Sequence, residues 1–264
     1  MGQRRGGHGP GSPGRGAWER HRSRAADIAV SLLALAALVW ACAPGVGPDL
    51  LGLQQRWGWP APTSGGELAE LPPTEVVTAL RSLPTRDGED IPDYRREAFG
   101  ARWADTDHNG CDTRNDILAR DLARPVFKPG THDCVVLSGT LAEPYTGRTI
   151  DFVRGEGTSE MIQIDHVVAL ADAWRSGAWQ WEPARRQDFA NDLLNLLAVD
   201  GEANQDKEAA RADQWLPEDR DFHCPYIARQ VVVKAAWGLS VTNSEREAMA
   251  DVLAACPDQA LPTR

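Results

Sequence analysis

The chain has 264 residues, and with 42% hydrophobic and 25% charged residues it has the composition of a folded globular protein. The formal net charge is −10, and because the first 24 residues hold six Arg and one Glu, the remainder carries −15. This acidity argues against a tight, non-catalytic DNA-binding module, since neutralisation of phosphates supplies much of the affinity of such modules. It does not exclude an enzyme acting on nucleic acid, which needs only a local basic groove and a bound cation.

The N-terminal region predicts export. An Arg-rich stretch precedes an uncharged apolar run over residues 28–43, which ends in Ala41-Cys42-Ala43 and is followed by Pro44. A basic segment, an apolar segment and a small-residue cleavage site are typical of a secretory signal. The run is shorter than the roughly 20 residues of a membrane-spanning helix, but the long leader keeps an uncleaved anchor open as an alternative. We expect a secreted protein, or one held on the outer face of the cell membrane by residues 28–43.

The rest of the chain divides into a linker and a folded region. Residues 44–73 are rich in Pro, Gly and small residues, which is typical of a flexible linker. The folded domain is predicted to span residues 74–264, behind a signal or anchor over residues 1–43. We expect a monomer that contacts a membrane only through the N-terminal segment, if that segment is not cleaved.

Helical and strand patterns are interspersed along the folded region, which predicts an α+β fold. Thr74 is suited to N-cap the first helix, with Val76, Val77 and Leu80 on one face. The predicted helices cover residues 74–83, 112–122, 167–176, 183–191, 203–212, 225–237 and 244–255. The predicted strands cover residues 135–137, 149–153, 161–164 and 196–199, with a turn at 143–147 between the first two.

Four cysteines remain once Cys42 is set aside with the export segment. An even number in an exported protein indicates disulfides, and four cysteines allow three pairings. We favour Cys111–Cys134 and Cys224–Cys256, because each pair brackets one compact segment. No C-x-x-C pattern occurs in the sequence, which argues against a structural zinc site.

Polar residues follow the third predicted strand in an ordered set. Asp165-His166 ends that strand, Asn195 precedes the next one, and Asn204 and Lys207 lie one helical turn apart just after it. A carboxylate and an amide oxygen are suitable hard ligands for Mg²⁺. A neutral imidazole can take a proton from water near pH 7. The spacing from Asn195 to Asn204 leaves room for a turn, so that Asn204 can return toward Asp165.

At these residues the chain resembles the HNH, or ββα-metal, nucleases. The resemblance implies that His166 is the general base, that Asp165 and Asn204 are the metal ligands and that Asn195 braces the loop. Lys207 matches the Lys often found after the last ligand, where it could contact a phosphate or hold the Asp. The third motif position has Asn in place of His, which favours Mg²⁺ over Zn²⁺. The implied fold is a ββα-metal core with additional helices and short strands, stapled by disulfides.

The resemblance extends beyond these residues, over roughly Leu80 to Cys256. The chain is similar to exported HNH proteins of actinobacterial type, a group similar to the C-terminal nuclease domain of GmrSD-type modification-dependent restriction enzymes. It implies a metal-dependent endonuclease that hydrolyses phosphodiester bonds of nucleic acid, with DNA as the expected substrate. The runs that carry it cover residues 103–116, 138–140, 144–147, 163–170 and 195–201.

Other interpretations of these residues stay open. Asp105, Asp107 and Asn109, with Asp116 at the twelfth place, resemble the start of a calcium loop, although an acidic turn pinned by Cys111 explains them too. A Ca²⁺ ion there would suit an exported, calcium-binding, non-catalytic module. A metallohydrolase of another phosphodiester is a further alternative.

Two details of the predicted site also have rival interpretations. Asp112, Arg114 or Asp116 could lie beside the site, contacting phosphate or bracing His166. Asn191 is a near rival of Asn195, and a turn-forming Asn needs no catalytic explanation.

Overall fold

A computed structural model describes residues 68–86 and 90–262. The predicted signal segment and most of the predicted linker lie outside the described residues. The α-helices of the described part are α1 (Glu75–Ser82), α2 (Thr113–Asp121), α3 (Leu170–Arg175), α4 (Pro183–Ala190), α5 (Gly201–Lys207), α6 (His223–Trp237) and α7 (Asn243–Ala254). Its strands are β1 (Leu122–Phe127), β2 (Val136–Ala142), β3 (Thr149–Val153), β4 (Ile162–His166) and β5 (Leu196–Asp200), and short 3₁₀ turns cover Arg96–Phe99, Ala178–Gln180 and Arg220–Phe222.

The strands form two small antiparallel sheets, so the predicted α+β class is confirmed. One sheet has the order β1-β2-β3, and the other is the two-stranded ribbon β4-β5. In the ribbon, Asp165 pairs with Leu197 and His166 with Leu196. Two helices and a 3₁₀ turn separate β4 from β5 in the chain, whereas α5 follows β5 without a loop.

Three clusters of buried apolar side chains hold these elements together. We call them the C-terminal core, around α1, α6 and α7; the aromatic core, around α3 and α4; and the sheet core, around α2 and the three-stranded sheet. Each fully buried large apolar side chain contributes about 1.5–3 kcal/mol. Representative members are Leu80, Tyr226 and Leu253 for the C-terminal core, Phe99, Trp174 and Phe189 for the aromatic core, and Ile117, Leu141 and Phe152 for the sheet core.

The β4-β5 ribbon separates the C-terminal core from the sheet core. Leu197 and Val199 of β5 belong to the C-terminal core, whereas Leu196 and Ala198 belong to the sheet core. Side chains alternate between the two faces of a strand, so β5 contributes to both cores. This explains why residues 196–199 form a continuous apolar run rather than an alternating one.

A buried cluster of charges joins distant parts of the chain. Arg86 pairs with Asp172 of α3 at 3.1 Å, and Lys234 of α6 pairs with Asp172 at 2.7 Å and with Glu245 of α7 at 2.5 Å. The cluster contains two cations and two carboxylates, so its formal charge is zero. Although burial opposes it, Lys234 and Arg86 hold the pKa of Asp172 below its usual value. The cluster ties the segment after α1 to three helices.

The cap predicted at Thr74 is confirmed, and Asp112 caps a second helix. Thr74 accepts from the amide of Val77 at the start of α1, and Asp112 accepts from the amide of Asn115 at the start of α2. Such caps satisfy backbone N–H groups that have no partner within the helix. The predicted face of α1 is confirmed, because Val76, Val77 and Leu80 are all buried.

The bounds predicted for the helix over residues 203–212 are wrong. The helix begins at Gly201, because the carboxylate of Asp200 accepts from the amides of Glu202 and Ala203 and so caps an earlier start. It ends at Lys207, and Glu208 follows in the left-handed region with φ 49°. Helix α5 therefore begins directly after β5 in the sequence, two residues earlier than the pattern indicates.

Three other boundaries differ from the sequence predictions. Helix α3 begins at Leu170 rather than 167, since the amides of Val167 and Val168 bond to Asn195 instead of starting the helix. The strand predicted over 135–137 runs on to Ala142. Strand β1 was not predicted, because Arg124 has φ 52° and the register of its pairing with β2 is irregular.

Both favoured disulfides are confirmed. Cys111 bonds to Cys134, and Cys224 bonds to Cys256. The second joins the start of α6 to the end of α7, beside the C-terminal core. In the described part of the chain, no helix has the length and apolar character needed to cross a bilayer.

Removing the Cys224–Cys256 bond should lower stability without changing the fold. The bond closes a sequence separation of 32 residues, for which the chain-entropy relation gives about 3–4 kcal/mol. We expect the double variant C224S/C256S to lose about that free energy of unfolding in denaturant titration under oxidising conditions. An unchanged unfolding midpoint would contradict the pairing, and C111S/C134S, which opens a shorter loop, provides the comparison.

Candidate active site

Strand β4 presents two different environments on its two faces. Gln163 and Asp165 lie on the face toward the C-terminal core, as does Leu197, the partner of Asp165. His166 lies on the other face with Ile162 and Ile164, which belong to the sheet core. The adjacent residues Asp165 and His166 therefore direct their side chains to opposite sides of the ribbon.

The Asp165 carboxylate is buried and bonds to two polar partners. The Tyr145 hydroxyl donates to Oδ2 at 2.5 Å, and Lys207 Nζ donates to Oδ1 at 3.0 Å. Burial raises the pKa of Asp165, whereas Lys207 and the Tyr145 hydroxyl act in the opposite direction. Burial next to this carboxylate also raises the pKa of Tyr145 well above its usual value, so the phenol stays protonated and acts as a donor.

Lys207 holds the end of β4. Its side chain is 0% exposed, and its ammonium donates both to Asp165 and to the backbone carbonyl of His166, each at 3.0 Å. A buried ammonium without an anionic partner would be strongly unfavourable. Of the two roles predicted for Lys207, the contacts correspond to holding the Asp.

Helix α5 packs along β4 through two polar contacts. Asn204 Nδ2 donates to Gln163 Oε1 at 2.9 Å, and Lys207 donates to Asp165. Gln163 and Asp165 are two residues apart on the strand, and Asn204 and Lys207 are three apart on the helix. Both spacings keep side chains on one face, so the two pairs meet. The structure brings Asn204 to the same face of β4 as Asp165, as the sequence spacing predicted.

The close approach of α5 to β4 requires glycine at position 201. A Cβ atom at Gly201 would lie 2.3 Å from the carbonyl oxygen of Glu160, and this contact is with backbone that cannot move aside easily. The Gly201 amide also donates to the carbonyl of Met161 at 3.0 Å. The beginning of α5 is therefore fixed against the beginning of β4.

His166 is half-buried on the opposite face. Its Nε2 lies 2.8 Å from the carbonyl oxygen of Ala190, the last residue of α4. A carbonyl only accepts, so Nε2 carries the proton and Nδ1 is the basic atom of the ring. Burial lowers the pKa of His166 to about 4; the Ala190 bond opposes this, and the nearby charges of Arg96, Lys207 and Arg102 add to it.

The segment between the first 3₁₀ turn and residue 103 covers His166. The ring of Trp103 is stacked on the imidazole, with centroids 6.2 Å apart and an interplanar angle of 10°. Trp103 has φ 55°, which a bulky residue adopts only when its surroundings impose it. Phe99 anchors the segment, because it is fully buried in the aromatic core.

Asn195 connects the end of β4 to the beginning of β5. Its Oδ1 accepts from the amide of Val168 at 2.8 Å, and its Nδ2 donates to the carbonyl of the same residue at 3.2 Å. Its own carbonyl accepts from the amide of Val167. These contacts are those expected of a loop-bracing residue. Asn191, the rival of Asn195, follows the last residue of α4 and donates to the carbonyl of Gln187 in that helix.

The acidic loop from Asp105 to Asp116 is organised by its own backbone. Asp105 accepts from the amides of Asn109 and Gly110, and Asp107 accepts from the amide and side chain of Asn109. Asp116 accepts from Asn109 Nδ2, and its pKa is raised by burial. These contacts correspond to the acidic-turn interpretation, and a Ca²⁺ site stays a prediction.

The three residues suggested as neighbours of the site make their hydrogen bonds elsewhere. Asp112 caps α2, and Asp116 bonds to Asn109 in the acidic loop. Arg114 donates to the carbonyls of Ser159 and Ile162, at the beginning of β4. Its contribution is therefore to hold the entry of the strand that carries the site.

The residues available for a divalent cation match Mg²⁺ better than Zn²⁺ or Ca²⁺. The described residues contain no group of three or more His, Cys, Asp or Glu side chains that could hold a metal ion. Mg²⁺ is commonly bound by one or two protein oxygens and completed by water and substrate phosphate. Asp165 retains lone pairs beside its two bonds, and Asn204, which donates through Nδ2, keeps its amide oxygen for a ligand. A Mg²⁺ site on these two oxygens stays a prediction.

Sequence reasoning missed Tyr145 and the Ala190 carbonyl. Tyr145 lies in the predicted turn at 143–147. Residues 144–147 are one of the runs that resemble the exported HNH proteins, but the resemblance assigns Tyr145 no role. Every residue has a backbone carbonyl, so the sequence does not indicate that the one at Ala190 bonds to His166. Trp103 likewise belonged to a resembling run, but its stacking on His166 depends on a backbone conformation that the sequence does not specify.

Residues 112–252 match the family model of the C-terminal domain of GmrSD restriction endonucleases. The match covers more than half of the chain and includes the whole segment from Asp165 to Lys207. The chain belongs to this family. Membership in the GmrSD C-terminal family indicates a nuclease type of function and a nucleic acid as substrate.

One relative supports the expected location. A protein of Arthroderma benhamiae described as an uncharacterized secreted protein is 36% identical over 165 residues, which cover 62% of this chain and 76% of the relative. The secreted relative agrees with an extracellular location. The HNH type and the actinobacterial origin stay predictions, and no solved structure matches the chain significantly.

The burial of His166 should be visible in its titration. Because its pKa in the fold is about 4, below the ordinary value of an unfolded His, the unfolded chain takes up the proton first. This group therefore destabilises the fold as pH falls from about 6.5 to about 4. Following the imidazole resonances by NMR should give a midpoint near 4. A midpoint near 6.5 would contradict the enclosed environment.

The Asp165–Lys207 pair should be far more important for stability than an exposed pair. Lys207→Met leaves a buried, uncompensated carboxylate and should cost about 3–5 kcal/mol. Adding Asp165→Asn should recover part of that loss, because the unpaired charge is removed. Arg148→Met is the matched control; Arg148 and Glu218 are mostly exposed and 3.9 Å apart, so about 0–1 kcal/mol is expected. Equal losses in urea unfolding for the two Met variants would contradict the buried pair.

Proposed function

We propose that this chain is an exported, metal-dependent endonuclease of the HNH type, which hydrolyses phosphodiester bonds of nucleic acid. The observation that carries the proposal is the state of His166. Its Nε2–H is held by the Ala190 carbonyl, which leaves Nδ1 unprotonated and able to accept a proton at neutral pH. A positioned base of this kind is what hydrolysis by an activated water requires.

The succession of elements supports the proposed ββα core. Strands β4 and β5 are antiparallel, and α5 follows β5 directly and packs on β4. The predicted base lies on β4, the predicted loop-bracing Asn195 precedes β5, and Asn204 lies on α5. This is the order that the HNH resemblance implies.

In the proposed reaction His166 Nδ1 takes a proton from water, and the resulting hydroxide attacks phosphorus. The phosphorus–oxygen bond on the opposite side breaks, and the leaving oxygen takes a proton from solvent. Tyr145 and Lys207 keep the Asp165 carboxylate in place, and Asn195 keeps the β4 end in place, so these residues position rather than react. Trp103 shields one face of the imidazole from water.

Mg²⁺ is the proposed cofactor, with Asp165 and Asn204 as its protein ligands. When bound there, the cation would neutralise charge that develops on the phosphate and the leaving oxygen. Lys207 shares the Asp165 carboxylate, so its ammonium and the cation compete for the same oxygens. DNA is the substrate we propose first, by similarity to the GmrSD family.

Plasmid nicking tests this proposal. The full chain should convert supercoiled DNA to nicked and linear forms with Mg²⁺ and should be inactive with chelator. His166→Ala should reduce the rate by at least about 10²–10⁴-fold, the range of general-base catalysis. Asn204→Ala should raise the Mg²⁺ concentration needed for half-maximal activity. Full activity of His166→Ala would refute the assignment of the base.

His223→Ala is the matched control for the base. His223 is also half-buried, and its Nε2 lies 2.8 Å from a backbone carbonyl, that of Pro217. It shares the type of contact with His166 but lies at the beginning of α6. We expect His223→Ala to cleave like the unaltered chain. Calcium-dependent thermal stabilisation without any nicking would favour the calcium-binding alternative instead.

A further inference from the structure

Two arginines beside His166 have no partner that explains their position. Arg96 is half-buried at the start of the first 3₁₀ turn, and Arg102 is exposed next to Trp103. Within the described ranges, neither guanidinium makes a hydrogen bond or an ion pair. Most other arginines near the predicted site instead donate to carbonyl oxygens, as Arg114 and Arg120 do.

The two guanidinium groups are coupled electrostatically to each other and to the imidazole. Burial lowers the pKa of Arg96; Tyr94 and Glu97 oppose this, and the charge of Arg102 lowers it further. Both arginines also act on the His166 ring. Trp103 fixes this geometry, because it follows Arg102 directly and its ring is stacked on His166.

Two like charges placed together are unfavourable in the free protein, and Glu97 offsets this only in part. The nearest acidic residue in sequence is Glu97, which is exposed and forms no ion pair among the described residues. The arrangement is therefore suited to an anion that arrives from outside. Arginine matches phosphate better than lysine does, because its planar fork donates two parallel hydrogen bonds.

We infer that Arg96 and Arg102 form the phosphate-binding site of this chain, where they hold a backbone phosphodiester of the nucleic acid against the face of the ribbon that carries His166. This inference rests on the proposed nuclease function and names the contacts by which substrate is held. Both residues precede residue 112, where the family match begins, so this part of the site is supplied by the segment upstream of the matched domain.

The position of the pair has a consequence for an acidic chain. Phosphate attraction falls off within roughly 10 Å at moderate salt, so the local charge around His166 matters more than the net charge of −10. A pair of unpaired arginines creates the local basic surface that the composition as a whole does not provide.

Binding of a labelled oligonucleotide in chelator, where no cleavage is expected, tests the site in the full chain. Arg96→Gln and Arg102→Gln should each raise the Kd about tenfold at low salt. Each should also reduce the slope of log Kd against log salt by about one. Arg124→Gln removes the same charge from an exposed arginine on β1, in the other sheet, and should leave the Kd unchanged. Equal losses in all three variants would overturn the site in favour of a general charge effect.

Two further binding measurements test whether the phosphate is the group that the arginines recognise. An oligonucleotide of the same sequence with an uncharged backbone should not bind; binding equal to DNA would overturn the inference. Arg102→Lys should keep the salt dependence but bind more weakly than the unaltered chain, because the fork is lost while the charge remains. Thermal unfolding of each variant separates loss of binding from loss of folding.

The outcome also separates this inference from the proposed function. If the chain binds DNA through both arginines but never nicks it, the phosphate site stands and the nuclease proposal fails. If it nicks DNA with Mg²⁺ and the two Gln variants keep the unaltered Kd and KM, the nuclease proposal stands and the phosphate site fails.

Discussion

The ion pair between Asp165 and Lys207 constrains the rest of the site, because both charges are removed from water. Burying a carboxylate and an ammonium costs several kcal/mol each, and only close, multiple contacts offset that cost. The Tyr145 hydroxyl and the His166 carbonyl supply those further contacts. The partners come from β4, α5 and the turn before β3, so a small displacement of any of these elements would leave a buried charge unsatisfied. The pair thereby fixes how the helix crosses the ribbon.

The ribbon places the two proposed chemical roles on different sides. Asp165 faces the C-terminal core, and His166 faces the sheet core, as alternation along a strand demands. Lys207 is the connection between them, because one ammonium binds the side chain of the first residue and the carbonyl of the second. A phosphate that is to contact both side chains has to lie at the end of β4, where the strand stops and the chain turns toward α3.

Much of the fold was predictable, and the exceptions have physical causes. The capped helices and the strands with clear alternation or apolar runs follow from local patterns, as Thr74 and Asp112 illustrate. Helix α5 was placed too late in the sequence because the cap at Asp200 and the close approach at Gly201 depend on a neighbouring strand. Strand β1 carries a proline and a left-handed residue, and only pairing with β2 makes it a strand. Within the site, the side-chain set from Asp165 to Lys207 was visible, whereas Tyr145 acquires its role only through the tertiary contact with Asp165.

The charge distribution explains how an acidic chain could act on an acidic polymer. Most arginines close to the ribbon donate to backbone carbonyls or to carboxylates, so they stabilise the fold and add little attraction for phosphate. Arg96 and Arg102 differ, because the segment that carries them is held by Phe99 in the aromatic core and by Trp103 on His166. Their positions are therefore set by apolar contacts, which leaves both guanidinium groups free for an external anion. The inferred phosphate site thus concentrates affinity for phosphate next to the proposed base, in a chain whose net charge of −10 opposes binding of nucleic acid.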